Sequence, residues 1–400
     1  MEEWRKDFPV MENLGSVYLD NAATTQKPYC VIERLEGQYR VCNANVHRSP
    51  HRAGREVTKA YEDARKKIAS FWGADERWTT IFTSGATEGI NLVAYAFSEA
   101  FCKPGDRIIV FASEHHSNFV PWQQRCLRLG LEFSVVMPAA DGTLDMDAFG
   151  RMLDGRTKLV AVAHMTNVFG NINPVEEIIT AAHRMGAAVL VDGAQAAAHL
   201  PLTISGLDCD FYSLSGHKVY GPNGIGVLFG RKSIMGKMGG FHFGGEMIED
   251  VDLAQTTFNQ LPYKFEAGTP NYTGAIGFGE AVGYLTLQGG IRKIEEQEEE
   301  LYRYLCENVR RVKGIHFPME PSKCRGILSF TMEGLHSLDV ALLLDKLGIA
   351  VRGGSHCAHP YMKAMGLAGG TARISLGMYN TPKDIDCLVK GLHRIGNRLS

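Results

Sequence analysis

The 400-residue chain lacks long apolar runs, paired cysteines and an excess of either charge. No stretch approaches the roughly 18 consecutive apolar residues of a spanning helix. Residues 1–20 carry charges throughout, without the apolar core of a secretion signal. Lys and Arg number 42 against 44 Asp and Glu, a net charge of -2, which offers no basic face to nucleic acid or to a membrane surface. Nine cysteines, an odd number, include no C-x-x-C pair, so neither a zinc site nor dithiol chemistry is indicated and no metal is expected. Scattered thiols suit a reducing compartment, and a cytoplasmic protein is the expectation. Most of these cysteines should serve as small core residues. Internal repeats, low-complexity blocks and long linkers are also missing, while 45% hydrophobic residues supply a large core.

What is present is an alternation of short apolar runs and helical segments. Strands are predicted at Thr79 to Phe82, Arg107 to Phe111, Lys158 to Val162 and Ala188 to Val191, all reading as buried and parallel. Helices are predicted at Glu88 to Phe101 and at Glu176 to Met185, the latter opened by Pro174 and closed by Gly186. Phe211 to Leu214 and Gly226 to Phe229 form a hairpin-like pair that leaves the sheet mixed. Loop-rich sequence follows from Gly239 to Thr273, then one long helical stretch from Ala275 to Glu300. A second pattern closes the chain: strand Ile327 to Thr331, helix Leu338 to Leu347, strands Ile349 to Arg352 and Ala372 to Met378, helix Pro382 to Leu399. The fold class is α/β, with a smaller α+β domain at the C-terminus.

Chemistry-bearing residues cluster where strands end. Lys218 in Ser215-Gly216-His217-Lys218 follows the strand at 211–214; alone, it reads as an exposed turn lysine. Asp192 closes the strand at 188–191, at the edge where open α/β sheets bind ligands. A carboxylate there can hold a protonated ring nitrogen or cap the next helix. Ser84 to Gly89 joins a strand to a helix, where small residues let backbone N–H groups approach an anion, although a plain turn has the same composition. His115 could stack on a flat ring, shuttle protons or be structural. Cys357 lies in a glycine-containing loop with Arg352, His356 and His359, whose cations would favour a reactive thiolate.

Taken in order, Tyr18 to Thr24, Ala44 to Arg48, Thr87 to Asn91, Glu114 to Asn118, Asp192 to Gln195, Ser215 to Lys218, Arg352 to Pro360 and Arg373 to Ser375 resemble the class V aminotransferase family of fold-type-I pyridoxal-5′-phosphate (PLP) enzymes. Within it they resemble the group II, SufS-type cysteine desulfurases. The resemblance implies a mostly parallel central sheet with helices on both faces, a large domain over 15–286, and a small one over 1–14 and 287–400. It implies that Lys218 carries PLP as a Schiff base, Asp192 pairs with the ring nitrogen, His115 stacks on the ring and takes part in proton transfer, and Asn167 and Gln195 bond near its phenolic oxygen. Thr87, Ser215 and His217 would hold the phosphate, joined by Thr269 from the second subunit of a homodimer. Arg373, with Asn167 and Arg352, would bind the substrate. Cys357 would accept sulfur from L-cysteine, leaving alanine, for iron–sulfur cluster assembly through an acceptor of SufE or SufU type. L-Selenocysteine is the alternative substrate, and other class V chemistry the alternative activity. Ser355 stands where the resemblance leads one to expect histidine, and Gly353 where threonine is frequent.

Overall fold

The computed structural model describes residues 2–397. Seven apolar runs pair into one sheet: β1 (Trp78–Thr83), β2 (Arg107–Phe111), β3 (Glu132–Val136), β4 (Thr157–Ala163), β5 (Ala188–Asp192), β6 (Phe211–Ser215) and β7 (Gly226–Arg231). Their order is β1-β7-β6-β5-β4-β2-β3, and only β7 runs against its neighbours. Alternate residues of β4 explain why these runs are apolar throughout: Val160 and Val162 enter the core on one face, Leu159 and Ala161 that on the other. Helices cover both faces, so neither row meets water. The fold class expected from the sequence is observed, down to the mixed sheet caused by β7.

Several expectations are corrected. β3 was not anticipated, because Glu132 and Ser134 interrupt its apolar residues; it forms the sheet's edge and is only partly buried. β1 points the same way as the parallel strands, but its one partner is the antiparallel β7. The loop-rich segment 239–273 contains a hairpin, Ile248–Val251 with Thr256–Phe258. The long helical stretch is two helices, Tyr272–Leu287 and Gly290–Val309, parted where Gly289 and Gly290 take φ of 95° and 75°, which a Cβ would oppose.

The second sheet contains β8 (Ile315–His316), β9 (Ile327–Met332), β10 (Arg352–Gly354) and β11 (Thr371–Ser375) in the order β8-β9-β11-β10, all antiparallel. The predicted strand Ile349 to Arg352 splits: Ile349–Ala350 pairs with Val17–Tyr18, and Arg352 begins β10. Helix Pro382–Gly396 starts at a capping box of Thr381 and Asp384; its predicted end at Leu399 lies outside the described residues. Leu19, Val168 and Phe169 join the core beneath this sheet, so the chain before the first large strand and the loop after β4 tie the two sheets together.

One buried ion pair fixes the segment after the hairpin. Glu266 accepts from Phe82 N–H (2.7 Å), Tyr61 Oη (2.9 Å) and both terminal nitrogens of Arg65 (2.5 and 2.9 Å). Glu266→Ala leaves Phe82 N–H and Tyr61 Oη without this acceptor and Arg65 held only by Glu62 (3.0 Å) and the Thr80 carbonyl (2.9 Å), and we expect a loss of about 2–4 kcal/mol in urea unfolding; a loss below about 1 kcal/mol, the range of exposed pairs, would contradict this account.

Candidate active site

The carboxyl ends of β2, β4, β5 and β6 converge on a cavity of about 300 Å³. Thr87, His115, Asn167, Asp192, Gln195, Ser215, His217, Lys218, Arg352, Cys357 and Arg373 all line it. Thr269 does not; it is exposed on the surface of its own chain.

Lys218 ends the short turn Gly216–Lys218 that follows β6. The peptide before it is clamped: the His217 carbonyl accepts from Thr25 N–H (3.0 Å), the hydroxyls of Thr24 (3.2 Å) and Thr25 (3.1 Å), and Lys27 Nζ (3.0 Å). Lys218 Nζ itself makes no hydrogen bond among the described residues. Burial pushes its pKa down to about 8, against the pull of Asp192, which favours the charged form. Asp192 ends β5; its Oδ1 accepts from Ala194 N–H (2.9 Å), while burial raises its pKa against the pull of that bond and of Lys218. The helix-capping reading of Asp192 is corrected: Gln195 stands at the N-cap of the helix Ala196–His199, while Asp192 braces the turn before it with one oxygen and its other oxygen has no hydrogen-bond partner among the described residues.

The β1 to helix turn is built for close approach. Gly85 takes φ 153° and ψ 178°, a region open essentially to glycine, and a Cβ on Gly226 would meet Gly85 Cα at 2.6 Å. Ala86 N–H donates to Ser215 Oγ (2.8 Å), and Thr87 and Ser117 share a hydroxyl bond (2.7 Å). His115 Nδ1 accepts from Ser117 N–H (3.1 Å), which places its ring proton on Nε2. Burial, then the Lys218 charge, push His115 down to about 3, so it is a neutral ring at physiological pH. Burial likewise lowers His217 to about 4.

Arg373, on β11, donates from Nη1 to the Asn167 carbonyl (2.7 Å) and from Nη2 to Asp20 (3.3 Å), and its buried Nε has no partner among the described residues. Burial lowers even this guanidinium to about 10. Arg352 grips the same Asp20 with Nε (3.1 Å to each oxygen) and Nη2 (2.8 Å). Gln195 Nε2 bonds the Ala22 carbonyl (2.9 Å), and Asn167 Nδ2 the His356 carbonyl (2.5 Å).

Cys357 is exposed on a turn where His356 and Cys357 both take positive φ, 50° and 56°. The sequence suggested His356 as a cation beside the thiol. It is instead buried, held by Thr371 (3.0 Å), and pushed down to about 3 by burial and then by Arg373; the lasting positive charge comes from Arg352 and Arg373. The expectation that most cysteines are core residues is corrected: of the other eight only Cys126, Cys209 and Cys324 are buried, Cys30, Cys42, Cys102 and Cys306 are half-buried against the edges of the core, and Cys387 is exposed on the last helix, outside the cavity lining. Sequence reasoning overlooked Asp20, which holds both arginines, and Ser117, which joins Thr87 to His115. Asp20 carried a signal, as the lone acid between Leu19 and Asn21 in a segment already singled out.

A lysine amine and a buried carboxylate line one cavity at the carboxyl edge of a mostly parallel α/β sheet, beside a hydroxyl-rich helix start, an arrangement able to take a carbonyl cofactor. Residues 17–388 match the sequence profile of the Aminotransferase class-V family, and the chain belongs to that family. It is 46% identical over 396 residues to a probable cysteine desulfurase of Halalkalibacterium halodurans, covering 98% of this chain and 97% of that one. A cysteine desulfurase of Klebsiella pneumoniae is 44% identical over 400 residues, with 99% and 98% covered. The solved cysteine desulfurase CsdA of Escherichia coli superposes with a TM-score of 0.91 at 36% identity, and the apo cysteine desulfurase of Thermococcus onnurineus with 0.94 at 37%; each comparison covers 99% of this chain and 98% of the other. The family depends on PLP. The cavity's own groups fit that cofactor: an unpartnered amine for its aldehyde, a carboxylate with a spare oxygen for its ring nitrogen, a flat neutral imidazole, and hydroxyls for its phosphate.

The lowered Lys218 pKa predicts that its acylation in cofactor-free protein rises with pH around 8, not near 10.5. Because Asp192 supports the charged form, Asp192→Asn should move that midpoint lower still. Peptide mass spectrometry across pH would measure both, and a midpoint near 10.5 would contradict the burial argument.

Proposed function

We propose that the chain is a PLP-dependent cysteine desulfurase that converts L-cysteine to L-alanine and keeps the sulfur as a persulfide on Cys357. The observation that carries this reading is the shared cavity: an exposed thiol on a strained turn opens onto the same space as a depressed-pKa lysine. A transaminase has no use for that thiol.

In this reading Lys218, Asp192, His115, Thr87, Ser215, His217, Asn167 and Gln195 hold PLP, with Thr269 supplied by the second subunit of a homodimer. When bound, PLP provides the electron sink that makes the Cα–H bond labile. Arg373 takes the substrate carboxylate through its fork of donors, with Asn167 and Arg352 beside it. Asp20 keeps both guanidinia aimed without filling the Arg373 Nε. Lys218, poised near neutrality, moves the Cα proton. The Cys357 thiolate attacks the substrate sulfur, and the electron pair of the broken C–S bond stays with the carbon fragment, which departs as alanine after protonation. His115, neutral with its proton on Nε2, is the donor on that side. The bonds balance: cysteine plus thiol gives alanine plus persulfide.

The short loop from Arg352 to Pro360 supports the SufS-type, group II subdivision. Sulfur then passes to an acceptor of SufE or SufU type for iron–sulfur cluster assembly in the cytoplasm. No helix among the described residues is long and apolar enough to cross a membrane, and no membrane or nucleic-acid partner enters this reading. The division into a large domain, 15–286, and a small one, 1–14 with 287–400, is part of it.

Alanine and sulfide formation under reducing conditions tests the proposal. Wild type should produce both in equal amounts. Cys357→Ala should keep the cofactor's visible colour and lose sulfide release, while Lys218→Ala should lose about 10²–10⁴-fold in turnover. A coloured Cys357→Ala variant with normal turnover would overturn the desulfurase reading.

A further inference from the structure

Cys357 lies in a turn whose backbone resists its own shape. His356 and Cys357 occupy the left-handed region, which residues with a Cβ avoid unless their surroundings impose it. On the cavity side the turn is held by Asn167 Nδ2 on the His356 carbonyl (2.5 Å) and by His356 Nε2 on Thr371 (3.0 Å). On the outer side a single residue spans it. His116 donates its backbone N–H to the Cys357 carbonyl (2.8 Å), while its ring Nε2 meets the His359 backbone N–H (3.3 Å) and His359 Nδ1 (3.0 Å). The two rings stack at 4.9 Å and 11°.

These contacts dictate a protonation state. A backbone N–H can only donate, so His116 Nε2 must present a lone pair, and His116 is neutral with its proton on Nδ1. Its surroundings agree. His359 stacks on it, His115 precedes it, and behind His115 stand Lys218 and Arg373. Arg125, Arg128 and Tyr95 line the groove beside it, Lys363 lies one turn along the helix His359–Ala364, and the acid nearest in sequence, Glu114, is turned inward onto Ala163 and Asn118. Burial first, then the His359 charge, hold His116 below the ordinary 6.5.

We infer that His116 and His359 form a clamp that positions Cys357 at the cavity and releases it when His116 Nε2 is protonated. The clamp is closed through the neutral range, where His116 is neutral, and opens as pH falls through its depressed pKa. His116 and His359 are positioning residues, acting through the main chain of 357–359. The inference rests on the desulfurase reading for its purpose, since a sulfur taken up inside the cavity must be carried outward by the same turn.

Amide hydrogen exchange of the holoenzyme, corrected for intrinsic rates, reads the clamp directly at the His116 and His359 amides. His359→Ala should lower their protection about five- to tenfold at neutral pH, the equivalent of one lost hydrogen bond, and should lower kcat by a similar factor with KM for cysteine unchanged. His359→Asn, whose amide can take the place of Nδ1, should restore both. In wild type, protection should fall on acidification; in His116→Gln, whose oxygen accepts without titrating, it should not. Protection in His359→Ala equal to wild type, or a wild-type protection independent of pH, would overturn the clamp. A wild type that forms no alanine yet shows the pH-dependent protection would leave the clamp standing and remove the desulfurase reading, so the two failures are distinct.

Discussion

An ammonium group withdrawn from water opposite a carboxylate is the constraint around which this protein is arranged. Desolvation disfavours the charge on Lys218 and the charge on Asp192 alike, and each partly rescues the other. Such a pair survives only where the backbone leaves no alternative. Here β5 and β6, hydrogen-bonded side by side and buried on both faces, deliver the two residues to the same edge. The clamp on the His217 carbonyl by Thr24, Thr25 and Lys27 fixes the last peptide before the amine. What results is an amine that loses its proton at about pH 8 rather than near 10.5.

The same economy governs the other side of the cavity. Asp20 serves two guanidinia at once, so a single carboxylate from the N-terminal segment aligns Arg352 and Arg373, which the small sheet contributes. Those two arginines, with neutral imidazoles at His115 and His356, make the mouth of the cavity positive without depending on histidine protonation. An anionic amino acid and a thiolate both benefit from that field. The reactive turn at Cys357 belongs to neither sheet's interior. It is held from both sides by hydrogen bonds, an arrangement suited to the sulfur-carrying role proposed for Cys357.

Much of this was legible in the sequence because the central strands are buried on both faces, and continuous runs such as Arg107 to Phe111 and Ala188 to Val191 admit few other readings. Every cavity residue named from motifs lies in one cavity, except Thr269, which is exposed on its own chain. What could not be read was whatever depends on tertiary context. β3 hid behind Glu132 and Ser134 because an edge strand needs only one buried face. The break at Gly289 and Gly290 was lost inside a helical pattern that continues on both sides. Asp20 is an unremarkable acid until a strand from residues 371–375 brings Arg373 beside it. His356 looked like a cation because proximity in sequence says nothing about burial.

The measurement that bears most directly on the central claim is a single turnover. One equivalent of L-cysteine is added to the PLP-loaded enzyme without reductant, followed by alkylation and peptide mass spectrometry. The account predicts one alanine per active site and the mass of one sulfur atom added at Cys357, with the other eight cysteines unchanged. Alanine formed with sulfur on a different cysteine, or pyruvate and free sulfide with Cys357 unmodified, would contradict it.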